Sequence, residues 1–274
     1  MKYFKNKVAV VTGAGSGMGR ALAIGLAKRG ALVAVCDVNQ ETLDETVKLL
    51  GNTQNKVSSF IVDIADDQQI RDMAQQIRNE YGKINLLFNN AGVSVTNSVE
   101  KMPLEDFEWL MNINFWGVVN GCRIFLPYFR EVDDAHIINT SSIFGIIGVP
   151  SQAAYNASKF AVRGFTSALQ QELMDTHIKV TCVHPGGVKT NIIRESRFTP
   201  LDNESPSKEE FIKSFNEFAG LTADQAADII LKGVSRKKKR ILVGRDAIFV
   251  SILERLFPVS YPFITNRLFR LGRS

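Results

Sequence analysis

The sequence is short of the residues that build stapled, metal-bound or membrane-spanning proteins. Of 274 residues only three are cysteine: Cys36, Cys122 and Cys182, far apart and each inside an apolar stretch. No metal-ligand spacing exists among them, so neither a disulfide framework nor a metal site is expected, and they read as reduced core thiols. Long apolar runs are missing as well. The start, MKYFKNKVAVVTG, offers a four-residue apolar run before Thr12 and Gly13. A signal peptide needs more, and a cytosolic N-terminus is the expectation. Glu254, Arg255, Pro258 and Pro262 interrupt the apolar C-terminal stretch before it could cross a bilayer. Positive charge is only in modest excess, 33 Lys and Arg against 28 Asp and Glu. With no Cys/His finger spacing and no heptads after a basic region, nucleic acid is not an expected partner. What remains is ordinary globular composition, 45% apolar and 22% charged, in a chain near the upper end for a single domain.

Short β-branched runs alternate with helical patterns. The expected strands are KVAVVT (7–12), LVAVCD (32–37), VSSFIVD (57–63), INLLFNN (84–90), HIINTSS (136–142), KVTCVHP (179–185) and RILVG (240–244). Several are apolar almost throughout, as strands covered on both faces must be. Between them lie GRALAIGLAKRG, QETLDETVKLL and DQQIRDMAQQIRNEYG, with helical periodicity. The pattern predicts an α/β fold: a doubly wound parallel sheet of about seven strands, helices on both faces, in one domain. Such sheets bind ligands beyond the carboxyl ends of their strands.

Chemistry-bearing residues cluster at those ends. TGAGSGMG (12–19) runs from the first strand into a helix. The usual Gly-x-Gly-x-x-Gly spacing fails, because Met18 stands where the third glycine would; Gly13, Gly17 and Gly19 supply a wider spacing with the same physics. Glycines let a pyrophosphate approach backbone N–H groups at a helix N-terminus. Asp37 ends the second strand, where an acid accepts hydrogen bonds from a ribose diol and repels a 2′-phosphate. Ser16 is neutral and no Arg or Lys immediately follows Asp37, so NAD is preferred over NADP; Arg20, inside the helix, is either solvated or phosphate-facing. Asp63 ends the third strand as an adenine partner or as a helix cap or turn residue. NNAG (89–92) follows the fourth strand, and Ser142 ends the fifth. Asn114 lies in a helical stretch, WLMNINFWGVV, where a polar amide needs partners. Tyr155 and Lys159, four apart on one helix face, are either surface packing or a functional pair. His136 and His177 read as surface or packing residues, and His184 as backbone support.

In this order and at these spacings, TGAGSGMG, Asp37, Asp63, NNAG, Asn114, Ser142, Tyr155-x-x-x-Lys159 and HPGGVKT (184–190) resemble the short-chain dehydrogenase/reductase family over roughly residues 5–245. The resemblance implies a Rossmann-type fold, a nicotinamide cofactor and a catalytic set of Asn114, Ser142, Tyr155 and Lys159. It implies cofactor contacts from Gly13, Ser16, Gly17, Met18, Gly19, Asp37, Asp63, Ile64, Asn90, Ala91, Gly92, Tyr155, Lys159, Pro185, Gly186, Val188 and Thr190. Tyr155 would exchange a proton with the substrate oxygen, which Ser142 would hold. Lys159 would hold the nicotinamide ribose, Asn114 would support a water chain, and Thr190 the carboxamide. A free phenol, with a pKa of about 10, is a poor base at neutral pH. A nearby ammonium or the oxidised nicotinamide's charge favours the phenolate, so Lys159 is expected to bring Tyr155 lower.

Residues 190–221 read as an irregular substrate lid, whose Ile192, Ile193, Phe198, Phe211, Phe215 and Phe218 suggest an apolar substrate or simple packing. Residues 246–274 follow a core that looks complete. This apolar extension, spaced with Arg255, Arg267, Arg270 and Arg273, reads as a pocket cap, a subunit contact or a peripheral membrane anchor. A homo-oligomer, dimer or tetramer, is expected. Two function classes stay open: a dehydrogenase or reductase of a lipophilic secondary alcohol or ketone, and a non-catalytic nucleotide-binding or scaffold protein.

Overall fold

The computed structural model describes residues 2–51, 56–199 and 207–264. Residues 200–206 of the lid, the side chain of Phe218, and Arg267, Arg270 and Arg273 lie outside the described residues. The strands, in chain order, are β1 (Val8–Thr12), β2 (Leu32–Asp37), β3 (Val57–Ile61), β4 (Leu86–Asn89), β5 (Val95–Thr96), β6 (Ala135–Thr140), β7 (Ile178–Pro185), β8 (Val188–Lys189), β9 (Arg197–Phe198), β10 (Leu221–Thr222) and β11 (Arg240–Val243). The helices are α1 (Gly17–Ala27), α2 (Gln40–Leu50), α3 (Asp67–Tyr81), α4 (Leu104–Met111), α5 (Gly117–Arg130), α6 (Ala153–Glu172), α7 (Lys208–Phe218), α8 (Ala223–Ser235) and α9 (Arg245–Leu256).

Seven strands form one sheet in the order β11-β7-β6-β4-β1-β2-β3, and every neighbouring pair is parallel. The two-residue periodicity of a strand sends alternate side chains to opposite faces. Ala9 and Val11 of β1 pack with α1, α2 and α8, while Val8 and Val10 pack with α3, α5 and α6. That is why β1 has no polar position before Thr12: both faces are covered. Each of the seven expected strands is present, with ends shifted by no more than two residues. The chain order reverses between β1 and β4, so the crevice of the doubly wound sheet opens there.

Several expectations are corrected or narrowed. Of the two readings left open for His136, surface or packing, the second holds: it is buried within β6, with Nε2 2.7 Å from Thr181 Oγ1 and Nδ1 3.0 Å from the Tyr3 hydroxyl. Asp63 lies two residues past β3, and Asp66 caps α3, accepting from the amides of Gln68 and Gln69. Asn114 sits not in regular helix but in a π-helical turn, Asn112–Trp116, between α4 and α5. Such single-turn insertions occur often at functional sites. The segment 190–221 is not irregular throughout. It contains α7, opened by a reciprocal capping box of Ser207 and Glu210, and its ends are tied down by β8 pairing with β10 and β9 with β5. Nor does the core end at 245: Ala247, Val250 and Leu253 of α9 are buried, and the first two pack on Ile143, Ile146 and Ile147. No helix among the described residues is long and apolar enough to cross a membrane.

Candidate active site

The β1 and β4 ends are stitched together. Thr12 Oγ1 accepts from the amides of Asn90 and Ala91, both at 3.0 Å, and the Asn90 side chain donates back to Thr12 O at 3.1 Å. The glycines are there because side chains do not fit. A Cβ on Gly19 would stand 1.9 Å from Gly13 O, and one on Gly13 would stand 2.7 Å from Ala91 Cα. Gly13 and Gly17 also hold positive φ, at 63° and 50°. Ser16 is the N-cap of α1 and makes no side-chain hydrogen bond to the helix N-terminus. Asn90 Oδ1 is buried with no hydrogen-bond partner. A close-packed glycine turn, a helix N-terminus and an orphaned acceptor fit a dinucleotide pyrophosphate and its neighbouring groups.

Asp37 closes the other end of this cradle. Its Oδ2 accepts from the Gly15 amide at 2.8 Å and its Oδ1 from the Asn39 amide at 3.0 Å. A carboxylate has about four lone-pair sites, so two remain for a diol. Arg20 donates to Gly15 O, Thr42 O, Thr46 Oγ1 and Glu45. Thr190 lies over the loop, its side chain 3.2 Å from a Cβ built on Gly17. Asp63 is exposed and accepts from the Ala65 amide; Ile64 is buried against Gly117.

Asn114, Gly92 and Lys159 meet at one point. A Cβ on Gly92 would be 3.1 Å from Asn114 Oδ1 and 3.3 Å from Lys159 Nζ. The Asn114 amide accepts from Val93 N at 2.8 Å and donates to Val93 O and Ser158 Oγ. Lys159 Nζ donates to Thr140 O at 3.2 Å and lies 5.5 Å from the centre of the Tyr155 ring. Ser142 faces the phenol, and its Oγ also accepts from the Phe144 amide at 3.1 Å. His184 Nδ1 is 3.1 Å from Ser142 O. A carbonyl only accepts, so Nδ1 carries the proton, and burial holds the imidazole neutral by pushing it down to about 4.

Burial decides the electrostatics of the pair. It pushes the Tyr155 phenol up to about 12, opposed in part by the hydrogen bond with Ser142, and pushes the Lys159 ammonium down to about 8. The lowering of the phenol expected from Lys159 is not what this geometry gives, because desolvation acts on both groups and in opposite directions. The surroundings are apolar: Val93, Met102, Phe107 and Trp109 cluster with Tyr155, whose ring meets Phe144 edge-on at 6.0 Å.

Four contributors escaped the sequence reading. Asn156 pins the 144–149 loop, accepting from Val149 N and donating to Phe144 O and Ile147 O. Asp246 accepts from the Gly187 amide at 2.6 Å, and its carboxylate occupies the space a side chain at Gly186 would need. Arg197 lies 3.8 Å from the Trp109 ring and pairs with Asp106 at 2.5 Å, latching β9 of the lid onto α4. Glu195 has its carboxyl pushed up by burial and then by the charge of Asp37. Only Asn156, beside Tyr155, carried a local signal. Of the lid residues, Ile193 is buried and Phe198 packs on Phe211 at 5.8 Å. A cavity of about 220 Å³ lies in the lid, lined by Thr190, Ile193, Arg194, Ile212 and Phe215 among others; none of Ser142, Tyr155 and Lys159 lines it. Cys36, Cys122 and Cys182 are buried free thiols.

The sequence pattern of the short chain dehydrogenase family matches residues 7–200. The protein SadH of Mycobacterium tuberculosis is 42% identical over 264 residues, 95% of this chain and 94% of that one. The 3-ketodihydrosphingosine reductase of Bacteroides thetaiotaomicron is 35% identical over 209 residues, 76% of this chain and 73% of that one. Among solved structures, a short chain dehydrogenase/reductase from Burkholderia phymatum in complex with NAD superimposes with a TM-score of 0.83 at 30% identity, covering 93% of this chain and 95% of that one. The glycine cradle, the parallel sheet and these likenesses agree: this chain belongs to the short-chain dehydrogenase/reductase family, oxidoreductases that use NAD(P).

Proposed function

We propose that the protein interconverts a lipophilic secondary alcohol and its ketone, with NAD preferred over NADP and Tyr155 as the acid/base. The observation that carries this reading is the meeting of Ser142, Tyr155 and a buried Lys159, with no carboxylate paired to it among the described residues, beyond the strand ends and beside the glycine cradle. When bound, the nicotinamide cofactor accepts or supplies the hydride. The chain's own residues do the rest. Gly13, Ser16, Gly17, Met18 and Gly19 hold the pyrophosphate, and Asp37 the adenosine ribose. Asp63 and Ile64 lie toward the adenine; Asn90, Ala91, Gly92, Pro185, Gly186, Val188 and Thr190 enclose the nicotinamide end. Ser142 orients the substrate oxygen, and Tyr155 takes the hydroxyl proton in oxidation or gives it in reduction. Lys159, protonated below about 8, stands 5.5 Å from the centre of that phenol's ring and would hold the nicotinamide ribose. Asn114 holds Val93 and Ser158 in place behind it.

The NAD preference is supported by Asp37 at the tip of β2 and by Arg20 being engaged elsewhere. The apolar substrate is supported by the residues clustered round Tyr155, and a relative named as a reductase of 3-ketodihydrosphingosine points the same way. Exposed Trp116 and Phe160 support assembly with further copies of the chain, measurable by light scattering.

The test is a panel of lipophilic secondary alcohols and ketones followed by NADH absorbance, in the parent and in Tyr155→Phe. The variant should lose ~10²–10⁴-fold of turnover, the contribution of a positioned acid/base, while NAD affinity stays close to that of the parent. Near-normal turnover in Tyr155→Phe would sink the assignment. Absence of turnover across the panel, with tight NAD binding, would favour a binding protein on this fold.

A further inference from the structure

Helix α9, which follows the edge strand β11, is apolar on both sides. Its inner face, Ala247, Val250 and Leu253, is buried. Its outer face repeats at helical spacing: Ile248, Phe249, Ile252 and Leu256 stand 48–65% exposed, and Val259 and Phe263 beyond the helix reach 86% and 80%. Soluble surfaces rarely carry so continuous an apolar stripe without a partner. Exposed Arg245 and Arg255 bracket it.

Charge says what that partner is. Residues 236–274 hold ten Lys and Arg against two acids, Asp246 and Glu254, a net +8; the whole chain carries +5, so residues 1–235 are net −3. Of the two acids, Asp246 is bound to the Gly187 amide, and Glu254 lies within electrostatic reach of Arg240. Arg240 feels Arg255 as well, so the C-terminal end of α9 comes back beside the basic turn 236–240. Stripe and basic turn therefore share one edge of the molecule. Outside the described residues, 265–274 adds three Arg and no acid.

We propose that the outer face of α9 and the basic turn 236–240 form a docking surface for an anionic lipid bilayer. The apolar side chains enter the headgroup boundary while the Lys and Arg side chains meet the lipid charge. A second copy of this chain fits less well, because a self-paired contact brings the same positive segment against itself. Nucleic acid answers the charge but leaves the Ile, Phe and Leu stripe uncovered. The inner face of α9 rests on the loop after Ser142, and Tyr261 accepts from the Gly148 amide at 3.0 Å, so docking sets the substrate side of the site next to the lipid. The docking itself does not depend on the catalytic reading.

The experiment is sedimentation of the full chain with vesicles of equal parts phosphatidylserine and phosphatidylcholine, and with phosphatidylcholine alone. The mixed vesicles should carry the protein down, the neutral ones should not, and salt should release it. Reversing Lys237, Lys238 and Lys239 to Glu should weaken binding at least about a hundredfold, taking about fivefold for each lysine. Phe249→Glu with Ile252→Glu should abolish it. These side chains are exposed, so NAD binding serves as the control for folding. Failure of the parent to bind the mixed vesicles overturns the proposal, as does salt-insensitive binding to both kinds. A smaller oligomer in Phe249→Glu/Ile252→Glu, with vesicle binding unchanged, also overturns it and makes the face a subunit contact.

Discussion

Replacing Lys159 with methionine should stabilise the folded protein at neutral pH while removing its turnover. Lys159 is 3% exposed, donates to Thr140 O at 3.2 Å, and has no carboxylate paired with it among the described residues. Bringing its ammonium from the ordinary value of 10.5 to about 8 corresponds to roughly 3 kcal/mol against the charged form. Methionine has a similar reach and removes the charge, but leaves the Thr140 carbonyl without a donor, a loss of about 1 kcal/mol. The net gain is about 2 kcal/mol, or roughly 3–4 °C in Tm for a chain of this size. The sign with pH follows from the lowered folded value. Between about 8 and 10.5 the unfolded chain binds more protons at this lysine than the folded one, so the parent gains stability as pH rises through that window. The penalty is full below it and absent above it. The advantage of Lys159→Met is therefore largest near about pH 7 and disappears by about pH 10.5. Urea unfolding of parent and variant at both ends of the window measures it. A variant less stable than the parent at neutral pH, or an advantage that survives unchanged at high pH, would refute the reasoning.

Two further outcomes are expected at the cofactor cradle. Asp37→Ala should narrow the affinity gap between NAD and NADP in titration calorimetry. Because Asp37 also accepts from the Gly15 and Asn39 amides, absolute affinity for both should fall, so the ratio is the quantity to read. Tighter NADP binding by the parent would end the case for NAD preference. Gly19→Ala forces a methyl to within 1.9 Å of Gly13 O, a backbone atom that cannot turn aside. Overpacking of this kind costs about 1–3 kcal/mol, so NAD affinity should drop about tenfold or more, and an unchanged affinity would mean the loop is looser than its contacts imply.

The sequence alone determined what rests on local spacing. Two-sided burial demands uninterrupted apolar strands, so β1, β2 and β7 could be placed from composition. A glycine run between strand and helix is equally local and marked a nucleotide loop by itself, whereas the i, i+4 pair of Tyr155 and Lys159 stayed open between surface packing and function until the whole series of motifs was read together. The capping box Ser207-x-x-Glu210 was local too, and would have placed α7 inside the lid. Tertiary structure decided what rests on long-range contact. Asp246 reaches Gly187 across 59 residues, Arg197 reaches Asp106 across 91, and His184 reaches Ser142 across 42, with nothing in the intervening sequence to announce it. The charge state of the central pair belongs to this second class. Spacing puts an ammonium near a phenol and favours a lowered phenol, yet desolvation depends on everything packed around both groups, and here it raises the one and lowers the other.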